Sequence, residues 1–290
     1  MKKAVILGCG FVGMRVARLF VAEGWETIGV TRTSALGGEK FRSLACDISD
    51  PAQLAAAGEL HNADAVICAA SSGRGGEEAY RAVYLRGVQN ALACLHPGRL
   101  LFVSSTSVYA QNDGAWVTES SPAEPRAATS RILREAEEAA LAAGGTVARL
   151  AGIYGPGRSV LLRKFLDRSA IIEGEGSRHI NQIHAGDAAT ALFHLIARGA
   201  GPGIYNVADD SPLTQLACYQ WLASHLRMPL PPRGEADANR KRGVTDKRVS
   251  NAKLRSLGWT PVYPSFSEAM LRDPALLAAA RAGGSGDAPS

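Results

Sequence analysis

Six short apolar runs mark the first half of the chain: KAVILG, WETIGVTR, FRSLACD, ADAVICAA, RLLFVSS and TVARLAGIYG. They are mostly continuous rather than alternating, and several close on Gly, Ser or Asp, which predicts strands covered on both faces. Helical spacing fills the gaps. Val12, Val16, Leu19 and Phe20 fall on one side of a helix and Arg15, Arg18 and Glu23 on the other, so a helix is expected over 12–23. Others are expected at 51–57, where Asp50 then Pro51 is a start signal, at 77–95 and at 129–143. A β-α-β-α order of this kind predicts an α/β fold, a doubly wound parallel Rossmann sheet with right-handed crossovers.

Beyond Gly152 the rhythm loosens. Helical patterns at 159–169, 187–198, 213–226 and 267–281 stand between longer loops and one more strand, GIYNVADD. The expected organisation is a dinucleotide-binding domain over 1–152 that receives elements back from the C-terminal half. A smaller substrate lobe follows over 153–280, then a flexible Gly, Ser and Ala tail over 281–290.

Composition narrows the class. No stretch approaches the roughly 18 uninterrupted apolar residues of a membrane span, so no membrane association is expected. Cys9, Cys46, Cys68, Cys94 and Cys218 are odd in number and form no Cys-x-x-Cys pair. A disulfide framework or zinc site is not expected, and a reducing cytoplasm is. The start, with Lys2 and Lys3 before AVILGCG, could suggest a lipoprotein signal. Its apolar run before Gly8 is too short for one, since signals need about 7 to 15 residues. Net charge is +5, and 233–255 alone holds eight basic residues against three acidic ones. Such a segment is either a solvated face or a grip for a substrate phosphate; with no aromatic residues interleaved, nucleic acid is not the expected partner.

The strongest chemical motif is VILGCGFVG. Gly8, Gly10 and Gly13 form Gly-x-Gly-x-x-Gly between a predicted strand and a predicted helix. Gly8 permits the tight turn, Gly10 admits a pyrophosphate to the backbone of Phe11 and Val12, and Gly13 lets helix and strand pack closely. The helix N-terminus adds free N–H groups and partial positive charge. About 20 residues on, where an NAD site would place Asp or Glu, the second strand ends in TRTS. Arg32, with Thr31, Thr33 and Ser34 beside it, would bind a 2′-phosphate, so NADP is expected ahead of NAD. The alternative is an ordinary surface arginine.

With these motifs in hand, the chain resembles the extended short-chain dehydrogenase/reductase family, which includes sugar-nucleotide epimerases, dehydratases and reductases. The resemblance runs through CDISDP (46–51), AVICAA (65–70), VSSTSVYA (103–110), TESSPAEP, RLAGIYGPGR (149–158), NQIHAGDAATAL (181–192), YNVADD (205–210) and KRVSNAKLRSLGWTPVYPS (247–265). It implies that Asp47 and Ile48 lie beside the adenine, that Ala69 and Ala70 pass under the cofactor, and that Ser105 hydrogen-bonds the substrate oxygen. It also implies a homodimer through the helices at 77–95 and 129–143.

Two departures stand out. The glycine turn is one residue shorter than the family's usual Gly-x-x-Gly. The helix that should carry the family's Tyr-x-x-x-Lys pair reads RAATSRILREAEEAAL, with neither Tyr nor Lys; the two positions fall at Ala127 and Arg131, or at Thr129 and Leu133. Neither pair transfers a proton at neutral pH, a pattern similar to the atypical members of the family. Thr106 and Ser107 stand where 4,6-dehydratases carry an Asp-Glu pair, which disfavours that reaction. Proton donors are then sought in Ser105, Tyr109, Tyr154 and His184, although family likeness packs both tyrosines near the cofactor's edge. Asp187 is expected to cap or brace its junction, and no metal site is expected from His179, His184 and Asp187. Two functions remain open: an NAD(P)-dependent oxidoreductase or epimerase-like enzyme on a small polar or nucleotide-linked substrate, and a non-catalytic NADP(H)-binding sensor or scaffold.

Overall fold

The computed structural model describes residues 1–33, 36–73, 75–235 and 245–282. Seven strands form one parallel sheet: β1 (Lys3–Leu7), β2 (Glu26–Thr31), β3 (Arg42–Ala45), β4 (Ala65–Cys68), β5 (Leu100–Ser105), β6 (Thr146–Leu150) and β7 (Gly203–Val207). Their order is β3-β2-β1-β4-β5-β6-β7, so the winding reverses between β1 and β4. In register, Ala4 to Leu7 pair with Thr27 to Val30 on one side and with Ala65 to Cys68 on the other. Ala4, Val5, Ile6 and Leu7 are all fully buried. That explains the unbroken apolar runs, because a parallel strand flanked by helices on both faces has no solvent side to pay with a polar residue.

The covering helices begin where the sequence places them. They are α1 (Gly13–Ala22), α2 (Pro51–Ala56), α3 over 77–95, α4 (Ala128–Ala142), α5 (Val160–Leu166), α6 (Ala185–Ala197), α7 (Gln215–Leu226), α8 (Phe266–Arg272) and α9 (Pro274–Ala282). Asp50 caps α2 by accepting from the N–H groups of Ala52 and Gln53, as the Asp-Pro signal anticipates. Two expected helices differ. The turns of α3 widen to π geometry over Arg81–Arg86, and the helix expected over 267–281 breaks at Asp273. Pro274 causes that break: its ring disfavours helical backbone at the preceding residue, and Asp273 adopts φ −112°, ψ 91°.

Two apolar cores result. The larger surrounds the sheet and draws in α6, β7 and Trp259 from the C-terminal half. The second gathers Tyr154, Leu162, Phe165, Ile172, Tyr219, Leu222, Phe266 and Met270 under α5, α7, α8 and α9. Small two-stranded pairings tie this region to the sheet's carboxyl end, including Gly152–Tyr154 beside Gln182–His184 and Trp116–Val117 beside Arg248–Val249.

The tail residues 283–290, Ser34, and the central part of the basic segment (236–244, with Arg240, Lys241 and Arg242) lie outside the described residues. The described basic residues of that segment engage separate neighbours. Arg233 pairs with Glu175 at 2.8 Å, Arg255 with Asp210 at 2.6 Å, Lys253 donates to the Ile204 carbonyl, and Arg248 stacks on Trp116. Lys247 is buried. The described part is therefore neither a uniform solvated face nor a single gathered phosphate grip.

Candidate active site at the carboxyl edge of the sheet

The winding reverses between β1 and β4, and open α/β sheets bind ligands at the carboxyl ends of the strands at such a reversal. Each expected cofactor residue stands on this edge. Gly8 has φ 96°, and a Cβ there would lie 2.2 Å from the N and Cα of Ala70. Gly13 is equally constrained, since its Cβ would meet the Gly8 carbonyl oxygen at 2.2 Å. Gly10 differs: a Cβ there would meet nothing within 4 Å. Two glycines thus serve close packing within the fold, while the third keeps open the approach to the start of α1. The N–H groups of Gly8 and Cys9 donate to the Val30 carbonyl, whereas those of Phe11 and Val12 meet no acceptor among the described residues. Unpaired donors at a helix N-terminus beneath an open approach fit a dinucleotide's diphosphate.

Around this turn, Ala69 donates to the Leu7 carbonyl at 2.7 Å, and Ala69 and Ala70 are half-buried small residues at the end of β4. Thr31 closes β2 and Arg32 follows it, exposed. Asp47, half-buried after β3, is oriented by Ser49, whose N–H and Oγ both donate to its Oδ1. Ile48 is buried against Gly87 of α3. Cys9 is buried at 1 % exposure, and burial pushes its thiol up to about 12. It is a packing residue facing Gly29, with no redox-ready thiolate.

Ser105 ends β5 at half burial, and its Oγ accepts from the Ser107 N–H at 3.2 Å. Ser107 continues the line: Ser130 of α4, itself buried, donates its hydroxyl to Ser107 Oγ at 3.2 Å. The sequence reading missed Ser107 and Ser130 as site residues; the only local signal was Ser130 lying within the helix expected to carry the Tyr-Lys pair. Of the two registers weighed there, the first starts at Ala127, which is the N-cap of α4 and makes no side-chain cap. Arg131 turns back to the Arg126 carbonyl.

The tyrosines do not join Ser105. Tyr109 is fully buried, its hydroxyl donates to Asn206 Oδ1 at 2.9 Å, and Arg149 lies over its ring at 4.8 Å. Tyr154 sits in the second core against His184 and Phe266. Burial raises the pKa of both, Tyr154 strongly. The Tyr109 hydroxyl is thus engaged with Asn206, and burial shifts both tyrosines away from neutral pH. His184 is likewise a structural residue. Its Nδ1 accepts from the Gly186 N–H as the N-cap of α6, its Nε2 approaches Asp273 at 3.2 Å, and burial lowers its pKa. Asp187 braces the fold, accepting from the N–H groups of Val262 at 2.8 Å and Tyr263 at 2.9 Å.

A parallel doubly wound sheet, a glycine turn with unpaired donors and a serine at the end of β5 define the class of dinucleotide-binding α/β proteins. Residues 4–208 match the NAD dependent epimerase/dehydratase family, and the chain belongs to that family. It is 30 % identical over 283 residues to protein YeeZ of Escherichia coli (strain K12), covering 91 % of this chain and 97 % of that protein. It is 27 % identical over 292 residues to a dTDP-6-deoxy-L-talose 4-dehydrogenase (NAD(P)(+)) of Kitasatospora kifunensis, covering 89 % and 90 %. Among solved structures, one from Methylobacillus flagellatus assigned to the NAD-dependent epimerase/dehydratases superposes with a TM-score of 0.80 at 28 % identity, covering 97 % of this chain and 99 % of that one. Among the described residues, no helix is long and apolar enough to cross a membrane.

Proposed function

We propose that the protein is an NADP-preferring oxidoreductase that acts on a hydroxyl or carbonyl group of a polar, nucleotide-linked substrate. One observation carries this reading: the glycine turn after β1, Ala69–Ala70 after β4 and Ser105 at the end of β5 stand on adjacent strands at one sheet edge. On this reading the N–H groups of Phe11 and Val12 receive the diphosphate, with Gly8, Gly10 and Gly13 shaping its seat. Asp47 and Ile48 flank the adenine, Thr31 and Arg32 meet the 2′-phosphate, and Ala69 and Ala70 form the floor.

The cofactor supplies or receives the hydride when bound. The chain positions the substrate. Ser105 Oγ, oriented by the Ser107 N–H, donates to the substrate oxygen, and Ser130 holds Ser107 in place. The nucleotide-linked class is supported by the Kitasatospora relative, named for a dTDP-linked sugar, and the family resemblance supports self-association through α3 and α4. The test is NADPH oxidation against dTDP-linked 4-keto sugars and a broad carbonyl panel. Ser105→Ala should lower kcat/KM by about tenfold or more, the cost of one hydrogen bond to a developing charge. No turnover of any substrate, or an unchanged Ser105→Ala variant, would sink the reading.

A second reading, a module that holds NADP(H) without turnover, draws support from α4, which carries neither Tyr nor Lys beside Ser105. Single-turnover hydride transfer from bound NADPH to a carbonyl acceptor decides between the two.

A further inference from the structure

We propose that Trp116, Arg248 and His179 form the seat for the nucleoside diphosphate end of the substrate. The indole stacks on the base, the guanidinium holds the phosphates and the imidazole takes a ribose hydroxyl. This rests on the nucleotide-linked reading above and assigns side chains of this chain to that half of the substrate.

Three separate stretches of the chain meet at Gly114, on the loop that leaves Ser105. The Gly114 carbonyl accepts from Arg248 Nε at 2.8 Å, and its N–H donates to the Asp246 carbonyl at 3.1 Å. His179 closes in from a third direction: a Cβ on Gly114 would lie 3.6 Å from His179 Cε1. With φ 71°, Gly114 holds a left-handed backbone that a side chain would strain. Beside it the pairing of Trp116–Val117 with Arg248–Val249 sets Trp116 against Arg248 in register, and the guanidinium lies over the indole at 5.1 Å.

Each of the three groups keeps binding capacity that the fold does not use. Trp116 is 52 % exposed, the only aromatic side chain among the exposed large apolar residues described. An indole left in water offers a face on which a nucleobase of any identity can stack. Arg248 spends Nε on Gly114, while its two Nη groups donate to no described residue. A guanidinium fork with free outer prongs matches two phosphate oxygens. The carboxylate that reaches Gly114's surroundings is committed elsewhere, since the N–H and Nδ1 of His179 both donate to Asp246 Oδ1, at 2.9 and 2.8 Å. A carboxylate only accepts, so Nδ1 carries the ring proton and Nε2 of the neutral imidazole is an acceptor. Nε2 has no hydrogen-bond partner among the described residues, and the side chain is 21 % exposed. A stacking face, a forked cation and an acceptor for a hydroxyl match the base, the phosphates and the ribose of one ligand. The seat draws on one cation of the basic segment, not on the segment as a whole.

The test is calorimetric and tryptophan-fluorescence titration of wild type, Trp116→Leu, Arg248→Gln and His179→Phe with thymidine diphosphate, uridine diphosphate and thymidine. Each titration is run with and without saturating NADPH, so that binding at the glycine turn is read separately. Both diphosphates are expected to quench wild-type fluorescence, and Trp116→Leu to lose the quench and about tenfold in affinity. Arg248→Gln should weaken the diphosphates about tenfold, as loss of a charge-assisted hydrogen bond does, leave thymidine within about twofold, and make diphosphate binding less dependent on salt. His179→Phe should weaken thymidine and thymidine diphosphate alike. Trp116 is exposed, so its variant reports on binding even if Arg248→Gln loosens the Gly114 loop. Undiminished diphosphate binding in both Trp116→Leu and Arg248→Gln overturns the seat. So does an equal loss of thymidine and thymidine diphosphate in Arg248→Gln, which would make the arginine a prop for the indole. Wild type that binds NADPH but neither diphosphate overturns the seat and the nucleotide-linked class together. Wild type that binds the diphosphates as expected but neither NADPH nor NADH overturns the cofactor reading and leaves the seat standing.

Discussion

Arg32 stands one residue beyond the end of β2, exposed at the sheet edge where a carboxylate would repel a 2′-phosphate. Replacing it with glutamate exchanges a charge-assisted bond for repulsion. Arg32→Glu should therefore weaken NADPH binding by about tenfold or more and leave NADH within about twofold, as read by fluorescence titration. Equal losses would show that Arg32 does not read the phosphate. Tyr109 makes the complementary residue-scale case. Letter for letter it matches a family motif, yet its hydroxyl serves Asn206 at 2.9 Å beneath the Arg149 guanidinium. Tyr109→Phe leaves the Asn206 oxygen one donor short in a buried setting, so unfolding free energy should fall by about 1–2 kcal/mol while kcat is unchanged. The sequence showed that a tyrosine lies near Ser105; which way its hydroxyl points depends on β7, far along the chain.

At the scale of elements, the strands and most helices were legible because each obeys a local rule: apolar runs for β1, β4 and β5, an Asp-Pro start for α2, a 3.6-residue stripe for α1. What local rules did not reveal is how charges are shared between elements. Along α4, Arg134, Glu137 and Glu138 look alike as surface residues. Glu137 is nevertheless fully buried, and it accepts from Ser104 Oγ of β5 at 2.6 Å and from Arg149 of β6 at 2.9 and 2.6 Å, with Arg134 closing over it. This network fastens α4 across two strands directly behind Ser105. Glu137→Ala strands the Arg149 cation, which is 1 % exposed, and loss of one partner of a buried pair costs about 3–5 kcal/mol. Denaturant unfolding should register a loss of that size. A cost below about 1 kcal/mol would show that water reaches Arg149. A helix break at Pro274 was readable in principle from the proline itself, but the apolar spacing across it masks the interruption.

For the whole molecule, the joint between the sheet and the C-terminal region depends on a segment that resembles an ordinary basic surface run. Asp246 accepts from both the N–H and Nδ1 of His179, Asn181 exchanges bonds with Lys247 and Val249, and Lys247 Nζ donates to the Tyr109 carbonyl at 3.0 Å. The last bond fixes the far end of the turn that begins at Ser105. Lys247 is 4 % exposed, and burial lowers its pKa to about 8, with Asp246 opposing the shift. The unfolded chain holds this proton up to about pH 10.4. Between those values the unfolded state binds more protons than the folded state, so this group's contribution to stability rises with pH across the window and is least favourable below pH 8. Buried Cys9, Cys68 and Cys218, each with its thiol raised to about 12, push the other way above about pH 9. The lysine's effect must therefore be read as a difference. The stability of wild type minus that of Lys247→Met should increase by about 2 kcal/mol between pH 7.5 and 9.5, at 1.36 kcal/mol per unit. A difference that stays flat over that range would mean that Lys247 keeps its proton in the folded protein and that the joint is wetter than its burial indicates.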